Sequence, residues 1–174
     1  TEIRILPNTK KYNALGIGMG LGLHPYTVAA IERDVSKQTL PLLIDADALN
    51  AIASLWQQSK SFTFPKNCII TPHPKEFDRL FGKSETSEAR LAKQIELSKT
   101  LEIIIVLKGA YTTISDVDGR VWFNLNGHPL LATAGSGDVL SGIITSYLAQ
   151  GYTPIIAARM GVFQHAQAAQ LLAT

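Results

Sequence analysis

Three uninterrupted apolar segments of strand length set the strongest limit on how this chain can fold. They are LPLLI (40–44), NCIIT (67–71) and EIIIVL (102–107), and none alternates polar with apolar residues. Runs of this kind are typical of strands buried on both faces, as in a parallel sheet covered by helices. Helical patterns lie around these runs, over 24–36, 48–59 and 75–100. The alternation predicts an α/β domain with right-handed crossover connections.

A further segment, TTISDVDGRVWFN (112–124), predicts an antiparallel hairpin because Asp118 and Gly119 suit a tight turn. The central sheet should therefore be mixed rather than purely parallel. Towards the end of the helical segment 75–100, apolar residues are expected to share one buried face, with charged residues opposite. Those residues are Leu91, Ala92, Ile95 and Leu101.

The composition fits one domain and argues against a nucleic-acid partner. The 174 residues are 46% hydrophobic, enough for one sizeable core. The balance of 16 basic and 14 acidic residues, net +2, is too even for nucleic-acid binding. Cys68, alone in an apolar run, predicts a buried thiol and fits a reducing compartment. No run reaches the roughly 18 apolar residues of a membrane span, and the first residues lack a signal-peptide layout, so we expect a cytoplasmic protein without a membrane partner.

Each buried strand is followed by polar or charged residues. Asp45 and Asp47 follow the first apolar run, His73 lies beyond the second, and Lys108 follows the third. The carboxyl ends of parallel strands meet at one edge of a sheet, where ligands bind, so a site is favoured there over plain solvated loops. Asp45 and Asp47 would point to opposite faces if the strand continued, so that only one would reach a ligand. Asp47 could equally cap a helix that begins at Ala48.

The histidines show no metal-ligand spacing. His73 lies between two prolines, which stiffen its loop and suit it to positioning a ligand rather than moving protons. His24, His128 and His165 are interpreted as structural or surface residues. We therefore predict no metal site built from His and Cys, while Mg²⁺ held mainly by phosphate oxygens is compatible with the sequence.

The glycine-rich stretch GIGMGLG (16–22) matches neither a dinucleotide-binding fingerprint nor a P-loop. It follows a predicted strand end, NALGIG, and its bare backbone would let a flat or phosphorylated ligand approach closely. Close packing of a strand against a helix would explain the same glycines.

A second glycine turn, LATAGSGDVLSG (131–142), precedes a predicted helix from about Gly137 to Ala149. Its glycines can aim successive backbone N–H groups at one point, and the helix adds the partial positive charge of its N-terminus. Phosphate or a developing oxyanion would fit there, and Asp138 in the first turn could take a proton from a bound hydroxyl. Ser136 or Asp138 could instead serve only as the helix N-cap.

Four segments together resemble the ADP/ATP-dependent NAD(P)H-hydrate dehydratases, which belong to the ribokinase-like superfamily. The segments are LIDADALN, TPHPKEF, VLKGAYTTI and NGHPLLATAGSGDVLSGIITSYLAQG. The glycine–aspartate turn is shared across ribokinase-like kinases, whereas TPHP and DADAL in this order and spacing narrow the resemblance to the dehydratases. It implies a three-layer α/β/α domain with a mostly parallel central sheet.

The resemblance also implies a repair reaction. The family consumes ADP or ATP to dehydrate the S form of hydrated NADH or NADPH: the hydroxyl on the damaged nicotinamide ring is phosphorylated, and phosphate then leaves. By matching motifs, Gly22, His73, Asp47 and Asp138 would contact the hydrate, with Asp138 as general base. Mg²⁺ bridging the phosphates is expected. The nucleotide would be bound by residues of the remaining motifs, namely Lys108, Gly109, Ala110, Tyr111, Thr112, Gly135, Ser136 and Gly137.

The chain departs from the family pattern at Met19 and Lys75, where the family usually has proline and glycine. A ribokinase-like domain also usually carries further residues before GIGMGLG and a final helix. Residues 1–174 are therefore expected to form a single domain lacking its N-terminal part and last helix, with an exposed sheet edge that a homo-oligomer would cover. Two alternatives stay open: a ribokinase-like small-molecule kinase of the hydroxyethylthiazole or hydroxymethylpyrimidine type, and a nucleotide-binding module without activity.

Overall fold

The computed structural model describes residue 9 and residues 11–173, and its centre is a mixed six-stranded sheet. The first four strands are parallel, and the last two continue the sheet as an antiparallel hairpin. The predicted mixed sheet and hairpin are both confirmed. In sequence order, which is also their order across the sheet, the strands are β1 (Leu15–Ile17), β2 (Leu42–Ile44), β3 (Ile69–Ile70), β4 (Ile104–Leu107), β5 (Thr112–Ser115) and β6 (Val121–Asn124).

Helices connect the parallel strands and follow the hairpin. They are α1 (Pro25–Asp34), α2 (Ala46–Gln57), α3 (Pro74–Phe81), α4 (Ser87–Leu101), α5 (Ser136–Ala149) and α6 (Pro154–Leu172), with a short 3-10 helix over Pro129–Ala132. None of the helices in the described residues has the length and apolarity needed to cross a membrane.

The alternation of side chains along each strand divides the core into two halves. On one face of the sheet, Leu42, Ile44, Ile70 and Ile105 pack with apolar residues of α1, α2, α3 and α4. On the other face, Leu43, Ile69, Ile104 and Val106 pack with α5 and α6. Because neighbouring strand residues point to opposite faces, a sheet covered on both sides needs apolar residues at every position. This is why the three segments are uninterrupted, and it confirms the three-layer α/β/α architecture.

The helical segment predicted over 75–100 consists of two helices, α3 and α4. Helix α3 ends before Gly82, which has a φ of +85°. Helix α4 begins with Thr86 as its N-cap, and the Thr86 side chain accepts a hydrogen bond from the backbone N–H of Ala89. A positive φ favours glycine and interrupts the helical backbone, so the break is set locally.

The face predicted for α4 is wrong in part. Gln94 and Ser98 are the fully buried residues of α4, whereas Ala92 is exposed. Gln94 donates through Nε2 to the carbonyl of Ile105 at 3.0 Å, and the hydroxyl of Thr113 donates to its Oε1 at 2.7 Å. A sequence pattern of apolar residues misses this contact because polar groups make it, and their hydrogen bonds are satisfied.

Each histidine that precedes a proline begins a helix. The Nδ1 atoms of His24, His73 and His128 accept backbone N–H groups in the first turns of α1, α3 and the 3-10 helix. The structural interpretation of His24 and His128 is therefore confirmed. Cys68 is also buried as predicted, and burial raises the pKa of its thiol.

Candidate functional site

The turn between β2 and α2 carries Asp45 and Asp47 at the carboxyl edge of the sheet. Ala46 has a left-handed φ of 47° and already begins α2, so the strand alternation stops at Asp45. The hypothesis that Asp47 caps a helix beginning at Ala48 is wrong, because Asp47 lies inside the first turn. Asp45 occupies the N-cap position, but its side chain makes no cap hydrogen bond. Both carboxylates are therefore available to other loops.

Asp47 binds the first glycine stretch. Its Oδ2 accepts the backbone N–H of Gly22 at 2.8 Å, and its own backbone N–H donates to the carbonyl of Gly18 at 3.2 Å. A Cβ at Gly18 would stand 1.7 Å from the carbonyl oxygen of Asp45, so close packing accounts for that glycine. A Cβ at Gly20 would meet no atom of the described residues within 4 Å. Close packing thus explains Gly18, whereas the open backbone at Gly20 is compatible with the approach of a ligand.

A buried ion pair joins the ends of β2 and β4. The Nζ of Lys108 lies 2.8 Å from Oδ1 of Asp45, and the hydroxyl of Ser141 donates to Oδ2 at 2.7 Å. The side chain of Asp45 is 1% exposed and that of Lys108 is 21% exposed. A Cβ at Gly137 would lie 3.5 Å from Nζ, which places the ammonium against the start of α5. The structure therefore brings Asp45 and Lys108 together, as the strand-end argument predicted, and places both beside Gly137.

Helix α5 begins without a side-chain cap. Gly135 is its N-cap, with a left-handed φ of 85°, so the hypothesis that Ser136 or Asp138 caps the helix is wrong. Within the described residues, the backbone N–H groups of Gly137 and Asp138 have no hydrogen-bond acceptor. Two free N–H groups, the positive end of the helix and the ammonium of Lys108 make this a site suited to phosphate.

Asp138 lies in the first turn of α5 with its side chain exposed. Over residues 11–173 its carboxylate has neither a hydrogen-bond partner nor an ion-pair partner. A carboxylate that no group of the described residues contacts, next to a site suited to phosphate, can accept a proton from a hydroxyl bound there.

Ser136, the first residue of α5, contacts α6. Its hydroxyl lies 3.1 Å from Nε2 of His165. Burial lowers the pKa of His165, and a hydrogen bond with the backbone of Ser136 opposes that shift. His165 is therefore a structural residue that holds the glycine turn against α6.

His73 caps α3 at the same edge of the sheet. Its Nδ1 accepts the backbone N–H groups of Lys75 and Glu76 at 3.1 and 3.2 Å, and Glu76 accepts the backbone N–H of His73 at 2.9 Å. Because Nδ1 accepts, the neutral ring carries its proton at Nε2. The ring is held in place, as expected for a histidine between prolines, and its contact with a substrate stays a prediction.

The turn over 108–112 joins β4 to β5 beside the ion pair. Within it, the Thr112 hydroxyl donates to the carbonyl of Gly109 at 3.2 Å, and Tyr111 is 67% exposed. A Cβ at Gly127 would stand 2.0 Å from the carbonyl oxygen of Ala110, so the chain after β6 packs directly on this turn. This turn, which is predicted to bind the nucleotide, therefore borders the candidate phosphate site at Lys108.

Comparison with known proteins decides the family. A family model described as NAD(P)H-hydrate dehydratase matches residues 1–174. The chain belongs to the NAD(P)H-hydrate dehydratase family. This dehydratase-family chain is 41% identical over 175 residues to the bifunctional NAD(P)H-hydrate repair enzyme Nnr of Thermofilum pendens, covering 98% of the chain and 32% of the relative. It is 36% identical over 170 residues to the ADP-dependent (S)-NAD(P)H-hydrate dehydratase of Neisseria meningitidis serogroup B, covering 96% of the chain and 57% of the relative.

Solved structures show that the dehydratase-family chain has the ribokinase-like fold, which confirms the prediction. The ADP/ATP-dependent NAD(P)H-hydrate dehydratase of Bacillus subtilis, co-crystallised with ATP/Mg²⁺ and soaked with CoA, gives a TM-score of 0.77 at 33% identity, covering 92% of this chain and 57% of that chain. A ribokinase-like superfamily protein of Enterococcus faecalis gives 0.76 at 30% identity, covering 92% and 56%. A hydroxyethylthiazole kinase of Pyrococcus horikoshii gives 0.65 at 16% identity, covering 86% and 59%, and shares the fold alone.

The sequence pattern predicted that the loops of the candidate site lie together, but two of the residues that support these loops were not predicted. Ser141 lies four residues after Gly137, so it faces the same side of α5, and helical spacing could have found it. His165 lies 29 residues from Ser136, on another helix, and no local pattern connects them.

Proposed function

We propose that the protein containing this chain dehydrates the S form of hydrated NADH or NADPH and restores the reduced cofactor at the expense of ADP or ATP. The proposal rests on the carboxylate of Asp138, which has no partner among the described residues. It lies beside two backbone N–H groups that lack acceptors in the same part of the chain, near the ammonium of Lys108. Relatives named as ADP-dependent (S)-NAD(P)H-hydrate dehydratases support the choice of substrate.

In the proposed reaction, Asp138 accepts the proton of the hydrate hydroxyl. The hydroxyl oxygen forms a bond to the terminal phosphorus of the nucleotide, and the bond from that phosphorus to its bridging oxygen breaks, releasing AMP or ADP. The free N–H groups of α5 and Lys108 stabilise the negative charge on the transferring group. The carbon–oxygen bond of the ring then breaks, and phosphate leaves with the electron pair while the ring gives up a proton. Phosphorylation is needed because hydroxide is a poor leaving group.

The remaining residues are proposed to bind the two substrates. Gly22 and His73 would contact the hydrate, and Asp47 would hold the backbone of Gly22 through the 2.8 Å hydrogen bond. The nucleotide would lie along 108–112 and the glycine turn 135–137.

Mg²⁺ is proposed to accompany the nucleotide and to offset the charge of its phosphates. In the described part of the chain, no group of three or more His, Cys, Asp or Glu side chains could hold a metal ion. Phosphate oxygens would therefore supply most of its ligands.

The test mixes the intact protein with Mg²⁺, ADP or ATP, and hydrated NADH, and follows the absorbance of reduced nicotinamide. We expect recovery of reduced cofactor with release of phosphate. Asp138→Asn should lower kcat by roughly 100- to 10,000-fold, because general-base catalysis is lost, while nucleotide affinity persists. Asp118→Asn is the matched control, since Asp118 is an exposed carboxylate in the β5–β6 turn.

Other outcomes separate the alternatives. A phosphorylated alcohol without recovery of reduced cofactor would contradict the proposal and favour a small-molecule kinase. If Asp138→Asn leaves every measured property unchanged, the chain is a nucleotide-binding module. A cytoplasmic location, a homo-oligomer and the division of 1–174 as one domain stay predictions.

A further inference from the structure

Asp45 is a buried carboxylate to which the proposed mechanism gives no role. Both of its oxygens are occupied, Oδ1 by the Nζ of Lys108 at 2.8 Å and Oδ2 by the hydroxyl of Ser141 at 2.7 Å. Burying a carboxylate is costly unless it is paired and hydrogen-bonded. A buried carboxylate with both oxygens occupied fixes the position of its ion-pair partner. Here the partner is Lys108, whose side chain is 21% exposed and therefore still accessible.

The fixed ammonium lies where the nucleotide phosphate is proposed to bind. A Cβ at Gly137 would be 3.5 Å from Nζ of Lys108 and 4.0 Å from Oδ2 of Asp45, so Lys108 lies close to the first turn of α5. Ser141 belongs to the same helix, one turn further on. Asp45 therefore ties the end of β4 to α5 and sets the position of the ammonium relative to the free N–H groups.

A lysine ammonium stays at one position only when an interaction with another group holds it there. The side chain has four rotatable bonds and a strongly hydrated ammonium, so without an anionic partner the head group extends into water. The backbone of Lys108 is already anchored, since its N–H donates to the carbonyl of Pro72 at 2.9 Å. Asp45 supplies the constraint at the other end of the side chain.

We propose that Asp45 is a positioning residue for phosphoryl transfer: it holds the ammonium of Lys108 against the start of α5, where Lys108 meets the transferring phosphoryl group. The inference rests on the proposed function, because it takes the nucleotide phosphate as the ligand at that place. Asp45 acts through Lys108 and does not contact substrate.

Steady-state kinetics of the intact protein test the proposal. Asp45→Asn keeps the size of the side chain and removes its charge, and it should lower kcat by about 10- to 100-fold, the effect of losing one charge-assisted hydrogen bond. The KM for ADP should change less, because removal of a negative charge close to the phosphate offsets the poorer contact with Lys108. In a Lys108→Met background, Asp45→Asn should cause no further loss.

Asp116→Asn is the matched control. Asp116 is another aspartate that is nearly fully buried and paired with an arginine, Arg120 at 2.7 Å, but it lies after β5 at the opposite edge of the sheet. It should lower stability without changing kcat. Equal falls in kcat for Asp45→Asn and Asp116→Asn, or a full additional loss in the Lys108→Met background, would overturn the proposal.

A second measurement reads the position of Lys108 without turnover. Acetic anhydride modifies accessible lysines, and peptide mass spectrometry gives the rate at Lys108. We expect ADP to slow modification of Lys108 in the unaltered protein, and Asp45→Asn to speed it and abolish the ADP protection. Absence of ADP protection in the unaltered protein overturns the inference, even if the variant fails to fold. Failure to recover reduced cofactor contradicts the proposed function instead, and leaves this measurement valid.

Discussion

Replacing Gly161 by alanine should destabilise the protein, although alanine favours helices. Gly161 lies in α6 where this helix packs on α5, and a Cβ there would stand 2.4 Å from Cγ1 and 3.4 Å from Cα of the fully buried Ile144. The added methyl group must displace Ile144 or separate the helices, an overpacking cost of about 1–3 kcal/mol. The higher helix propensity of alanine returns about 1 kcal/mol. We expect a net loss of about 1 kcal/mol in the free energy of unfolding.

Gly142→Ala provides the control within the same pair of helices. Gly142 lies in α5, and a Cβ there would meet no atom of residues 11–173 within 4 Å, so alanine should raise the free energy of unfolding by about 1 kcal/mol. Because the propensity gain is common to both variants, their difference isolates the packing cost, about 1–3 kcal/mol. Urea unfolding followed by circular dichroism measures both values. Equal stability of Gly161→Ala and Gly142→Ala would refute the close packing of α5 on α6.

Three further changes test other parts of the fold. Burial lowers the pKa of His165 below its usual 6.5, so the free energy of unfolding should fall as the pH drops below 6.5. Urea unfolding at several pH values should show a smaller fall for His165→Gln. The hydrogen bond from Arg90 lowers the pKa of Asp78 below its usual 3.8, so Asp78→Asn should lower the free energy of unfolding by about 1 kcal/mol at neutral pH. This loss should shrink as the pH falls below 3.8, and a loss independent of pH would contradict the ion pair. Gly18→Ala should abolish the native circular dichroism spectrum, because Gly18 has a φ of 130° and a Cβ there would stand 1.7 Å from the carbonyl oxygen of Asp45. A native-like spectrum would refute this close approach.

The ends of the strands were predictable because a local rule governs them. Buried apolar runs such as the one before Lys108 form strands of the sheet, and the residues that follow parallel strands lie at the same edge of the sheet. The meeting of Asp45 with Lys108 follows from that rule, because each residue directly follows a parallel strand. The choice between a capped helix and an anion site at Asp138 could not be made in the same way, because Ser, Asp and Gly are all common at helix N-caps. Only the observed backbone shows that Gly135 takes that position.

The sequence by itself determined the layers, the mixed sheet and the family of this protein, because these depend on hydrophobic patterning and on motifs that are contiguous in the chain. Tertiary structure alone decided which polar groups support the site. Asp45 and Asp47 are two residues apart, yet one pairs with Lys108 and the other binds Gly22, since the left-handed Ala46 between them ends the strand alternation. Likewise, α4 contacts the sheet through hydrogen bonds of its buried Gln94 and Ser98 as well as through apolar side chains. Hydrogen bonds between distant segments require donor and acceptor positions accurate to a few tenths of an ångström, and a local sequence pattern does not determine these positions.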